Sequence, residues 1–138
     1  MLFMDTRTLT EYSGLIGIIG GGFTSVTNLA LWHRITSASN NSPSTEASVQ
    51  TVEFMVQRHA PLLVGIAIIN ITVVILLLVI GVLSLKKYNA LKNVHKSPPI
   101  IFIVASGLFF IPFIGKLISG ILAIIGGVLF LSNLNRLE

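Results

Sequence analysis

The chain has 138 residues, of which 53% are hydrophobic and only 10% charged, and its mean hydropathy is +0.89. A soluble domain carries about a quarter charged residues, so this composition excludes a solvated globule and points to lipid as the solvent. The absence of cysteine excludes disulfides, thiolate metal sites and cysteine nucleophiles. A net charge of +4 does not indicate nucleic acid, because four of the nine basic residues crowd one short segment between two apolar runs.

The opening MLFMDTRTLTEY mixes Asp5, Arg7 and Glu11, a poor amino-terminal region for a cleaved signal peptide. No small-x-small site follows the next apolar run, which is therefore expected to be retained. Tyr12–His33 contains no charge with His33 neutral. Its length of about 33 Å suffices for a hydrocarbon core of about 30 Å. Trp32 and His33 suit the interface at its end.

Residues 34–60 are polar and form an expected outer loop. Pro43, with Ser42 as N-cap and Glu46 in the first turn, marks a helix start. Val49, Val52 and Val56 then recur at helical spacing, widened by Phe54 and Met55. The pattern predicts a short amphipathic helix on the membrane surface or across the bundle mouth. Residues 61–85 carry no charge and give the strongest span. A basic loop over 86–98 follows, with Lys86, Lys87, Lys92 and Lys96, and Pro98-Pro99 stops any helix from the left while opening one to the right.

Between Ser97 and Asn135 the sole charge is Lys116. One helix through all of it would be nearly twice the hydrocarbon thickness, at about 58 Å. Pro112 and Gly115 supply a break and Lys116 can snorkel to the interface, so two spans are expected, 99–113 and 117–131. The competing form is a re-entrant pair that never reaches the far side. The fold class is then an all-α integral membrane protein, a single-domain four-transmembrane-helix bundle with one amphipathic helix in the first outer loop. The positive-inside rule places the lysine loop and both termini in the cytoplasm: Arg7, the four lysines and Arg136 inside, Arg34, Arg58 and Lys116 outside.

Two phrases near opposite ends of the chain match in six of ten positions: SGLIGIIGGG at 13–22 and SGILAIIGGV at 119–128. Ser13, Gly17, Gly21 and Ser25 form a small-residue ridge along one helical face, and Ser119, Ala123 and Gly127 repeat the spacing. Helices associate in lipid by close backbone packing, which small residues permit. The two ridges are expected to pack antiparallel, closing the bundle. A transporter with broken helices would place glycine-interrupted segments in corresponding halves; a two-plus-two repeat matches span one with span three, whereas here the match is with span four.

Thr24 and Asn28 share a face of the first span, Asn70 and Thr72 lie in the outer half of the second, and Thr24 and Asn70 are expected at similar depth. Amides in hydrocarbon seek partners, so a lock between the two helices is expected, with a polar cavity lining as the alternative. Glu11 sits at the edge of the first span, where it complements the helix dipole; no acidic residue lies inside a span, which speaks against transport coupled through intramembrane carboxylates. His33, His59 and His95 do not form a metal set, and GxSxG, HExxH, Walker A and Rossmann phrases are absent. The four lysines also suit anionic lipid head groups.

In FIPFIGKLISGILAIIGGVLFL (110–131) and SGLIGIIGGG the chain resembles small four-span bacterial membrane proteins of unknown function, frequent in Gram-positive genomes. That resemblance implies a bacterial plasma membrane and no activity. The expected function is that of a non-enzymatic integral membrane protein without cofactor or metal. It would be an accessory subunit, an immunity or protection protein, or a self-associating bundle, with the bilayer and a protein partner or second copy as its contacts and no nucleic acid. The alternative is a small channel, transporter or holin-like pore lined by Thr24, Asn28 and Asn70.

Overall fold

The computed structural model describes residues 4–40, 45–112 and 114–137, with the side chains of residues 35, 38, 39 and 45–56 outside that description. Four helices follow in order: α1 (Thr6–Asn40), α2 (Thr45–Asn89), α3 (Ser97–Leu108) and α4 (Ile114–Leu134). No strand occurs among the described residues. Three stretches, Thr6–Arg34, Gln57–Asn89 and Ile114–Leu134, are long and apolar enough to cross a membrane. The 12 residues of α3 cover only about 18 Å as a helix.

Both proline effects expected from the sequence act on the last two helices. Pro98 and Pro99 occupy the first turn of α3, where their fixed φ is suited to a helix and the missing N–H groups had no intrahelical acceptor. The helix then ends five residues before the expected boundary at 113 (Phe113 itself lies outside the described residues). Phe109 N still donates to Ala105 O at 3.2 Å, but Phe110 N reaches Gly107 O at 3.3 Å and Ile111 N reaches Leu108 O at 3.0 Å. These tighter turns precede Pro112, whose ring disfavours helical backbone in the residue before it. Gly115 lets α4 begin directly against that turn: a Cβ there would collide with Leu108 O and lie 2.5 Å from Ile111 Cβ.

The first two helices are longer than expected. Residues 34–40 continue α1, and the segment expected as a separate amphipathic helix is the start of α2, whose helix runs unbroken from Thr45 through Pro61 to Asn89. The outer connection is correspondingly shorter than 34–60. Pro61 removes one donor and crowds the preceding turn. The helix nevertheless continues through it, so the loss is confined to that one turn. The stripe of Val49, Val52 and Val56 falls on side chains outside the described residues.

The inner faces of the long helices step alternately by three and four residues. Thr10, Ser13, Gly17, Gly20 and Thr24 are buried on α1. On α2 the row is Asn70, Val74, Leu77, Gly81, Ser84 and Tyr88, and on α4 it is Ser119, Ala123, Gly126, Phe130 and Asn133. That spacing keeps one stripe inward along near-aligned helices. Helix α1 packs most extensively on α4, and α3 fills the space between α2 and α4. Phe102 and Phe130 meet with their rings tilted at 55° and centroids 4.8 Å apart, and the Tyr88 centroid lies 5.9 Å from that of Phe130. Outward, Ile19, Val26, Leu62, Ile75 and Val128 are exposed. An apolar belt of that kind is the surface a bilayer covers.

Candidate functional site

The two glycine phrases meet. A Cβ on Gly21 would lie 2.5 Å from Gly120 O, one on Gly17 would lie 2.8 Å from Ala123 O, and one on Gly127 would lie 2.6 Å from Gly14 O. These pairs run in opposite directions along the two helices, so α1 and α4 are antiparallel. Ser13 and Ser119 are buried in the same seam, and Ser13 Oγ donates to Leu9 O at 2.5 Å. Ser25 is only half-buried, yet its Oγ is enclosed against Gly120 and finds no hydrogen-bond partner among the described residues.

Of the four polar residues expected within the spans, two join. Thr24 is 2% exposed and Asn70 6%, and Thr24 Oγ1 donates to Asn70 Oδ1 at 3.2 Å. This bond links α1 to α2 inside the packed interface. Asn28 Nδ2 donates to Thr24 O at 2.6 Å, within its own helix. Thr72 is exposed and satisfies itself on Ile68 O at 2.8 Å, so it belongs to neither the contact nor a cavity. Thr24 is thus the common partner, meeting Asn70 through its hydroxyl and Asn28 through its backbone carbonyl.

A second polar cluster, which sequence reasoning passed over, sits at the lysine end. Tyr88 is fully buried and its hydroxyl lies 2.6 Å from Thr10 Oγ1, which also donates to Thr6 O at 2.8 Å. Asn133 flanks the same phenol, and its Nδ2 donates to His95 O at 3.0 Å. Lys87 Nζ donates to Met4 O. The cluster therefore ties α1, α2, α4 and the connection before α3 at one level. Its signal was available in the three-four spacing that carries Asn70 to Tyr88 and Ser119 to Asn133. Lys86, Lys92 and Lys96 are exposed. Lys86 and Lys87 close α2, where cations complement the helix dipole, and Lys92 shares a groove of about 200 Å³ with Arg136.

At the opposite end a larger groove of about 710 Å³ opens between α1 and the tip of the α3–α4 hairpin. Asn28 and Trp32 form one wall, Phe109, Phe110 and Leu117 another, and Lys116 is its cation. The Lys116 ammonium stands 5.5 Å from the centroid of the Phe109 ring, within cation–π range. The groove therefore combines apolar walls with one positive charge. Among the described residues no group of three or more His, Asp or Glu converges on a metal position.

No protein family, no curated protein and no solved structure matches the chain. Its functional reading rests on the geometry above.

Proposed function

We propose that this chain is a non-enzymatic integral membrane protein of the bacterial plasma membrane, acting as an accessory or protective partner of another membrane protein or of its own copies. In this reading α1, α2 and the α3–α4 hairpin cross the bilayer. The lysine end is cytoplasmic, together with the segments near both ends of the sequence, in keeping with the excess of Lys and Arg there. The hairpin fits such a crossing: its Lys116 tip stands level with Asn28 and Trp32, and Asn133 stands level with His95.

The observation that carries the proposal is the length of α2. Its 45 residues begin at Thr45, whereas its membrane-length stretch begins at Gln57. Twelve residues therefore extend about 18 Å further as helix, with apolar positions Val49, Val52 and Val56 at helical spacing. A helical limb with an apolar stripe is a recognition element of the helix-in-groove kind. The pore reading requires the buried Thr24–Asn70 bond to open.

The test is isolation of the full chain in native lipid with a photo-crosslinking residue in place of Val52. A stoichiometric adduct to a second protein or a second copy is expected. A chain that yields no adduct and conducts ions after reconstitution would overturn the proposal in favour of a pore.

A further inference from the structure

The groove at the hairpin tip has a chemistry that the partner reading does not use. Its walls are apolar, and among the described residues lining it there is one cation, Lys116, and no carboxylate. Lys116 is also the sole charge between residues 97 and 135. It lies in the first turn of α4, which holds no acidic residue, so the helix dipole adds to the positive field of the lysine. Asn28 supplies an amide with two donor hydrogens, one of which goes to Thr24 O. On the lipid side Phe110 is 80% exposed and Ile114 is exposed beside it.

We infer that this groove binds one anionic phospholipid from the leaflet opposite the lysine cluster, its phosphate on Lys116 and Asn28 and an acyl chain along Trp32, Phe109 and Phe110. The volume lies within the range of about 300–1,000 Å³ that holds small ligands. Charge selects the occupant. A second copy docked face to face in a symmetric contact would bring its own Lys116 toward this one, like charge on like. A zwitterionic lipid brings its own ammonium, quaternary in phosphatidylcholine, which competes with Lys116 for the phosphate. A monoanionic head group completes the site, because a charge-assisted hydrogen bond gains strength where water is thin. The site needs the chain to be inserted in a bilayer but is independent of any protein partner.

The test is native mass spectrometry of the full chain released from nanodiscs containing phosphatidylglycerol and phosphatidylcholine in equal amounts. Wild type is expected to retain one phosphatidylglycerol roughly tenfold more tightly than phosphatidylcholine, equivalent to about 1.4 kcal/mol. Lys116→Gln should abolish that preference and Lys116→Arg should keep it, while Lys92→Gln at the other end should leave it intact. Leu29→Trp, which fills the groove without changing charge, should exclude the lipid even if the lysine variant fails to fold. Diazirine-bearing phosphatidylglycerol should label residues 28–32 and 109–117.

The proposal is overturned by a preference that survives Lys116→Gln or that follows Lys92→Gln. It is also overturned by labelling confined elsewhere, by equal retention of oleate or inorganic phosphate, or by crosslinks from position 110 to a second copy that close the groove.

Discussion

Gly21 and Gly120 stand backbone to backbone across α1 and α4: a Cβ on the first would lie 2.5 Å from the oxygen of the second, and a Cβ on the second would lie 2.9 Å from the oxygen of the first. Neither obstacle is a side chain that can swing aside. Gly21→Ala is therefore expected to push the two helices apart, at about 1–3 kcal/mol as for overpacked cores, and Gly127→Ala should behave alike. At Gly22, Gly65 and Gly107 a Cβ would meet open space among the described residues. Alanine at those positions should be neutral or gain up to about 1 kcal/mol through helix propensity. Unfolding midpoints of the five variants in one detergent check this, and an equal loss at Gly21 and Gly22 would refute the close seam.

The Thr24–Asn70 bond is expected to show an asymmetric response. Thr24→Val removes the donor and leaves a buried amide oxygen without its partner, whereas Asn70→Leu leaves a hydroxyl that can turn to the carbonyl one turn back. The valine variant should lose more stability, and the double variant should recover part of it. The coupling measured by a double-mutant cycle should fall near 0.6–1.7 kcal/mol, roughly the range of interhelical bonds in membranes. Zero coupling would mean that the bond does not hold the helices.

At the lysine end, Tyr88→Phe removes a hydroxyl while Thr10 keeps its bond to Thr6 O. A modest loss of about 0.5–1.5 kcal/mol is expected. Tyr88→Ala deletes the ring packed on Phe130 and should cost about 3–5 kcal/mol, as large aromatic truncations in cores do. Asn133→Ala acts on a different element, since it releases His95 O. Amide hydrogen exchange across 90–96 should accelerate in that variant and stay unchanged in Tyr88→Phe.

The hairpin break and the meeting of the two glycine phrases were legible because each depends on local chemistry: a proline, a glycine and small residues four apart. The bond between Thr24 and Asn70 was legible because amides are rare in such helices and the two lie at similar depth. The end of α3 was not, because apolar residues 109–111 look the same in a helix and in the tight turn that Pro112 imposes. The start of α2 was misplaced for the opposite reason. Pro61 reads as a boundary, yet α2 runs through it unbroken from Thr45 to Asn89. Tyr88 and Asn133 escaped notice because interfacial positions beside lysines and near a helix end normally need no partner. The groove depends on where α1 meets the hairpin tip, which no local pattern encodes.

Orientation can be read directly from single-cysteine variants, since the chain has no cysteine of its own. Lys92 and Lys96 are exposed at one end, and His33, Arg34, Arg58 and His59 are exposed at the other. The helices fix these two groups on opposite sides of the bundle, so any insertion labels one group and spares the other. With the lysines inside, a membrane-impermeant maleimide added to intact cells should modify cysteine at 34 or 58 and leave 92 and 96 untouched until the cells are opened. Each basic residue near the cytoplasmic surface favours this arrangement by about 1 kcal/mol on an anionic leaflet. Replacing Lys86, Lys92 and Lys96 together by glutamine should thus weaken the bias and produce a mixed population labelled at both ends. Labelling of position 92 from outside in the unaltered background would reverse the topology, and with it the leaflet from which the groove at Lys116 draws its lipid.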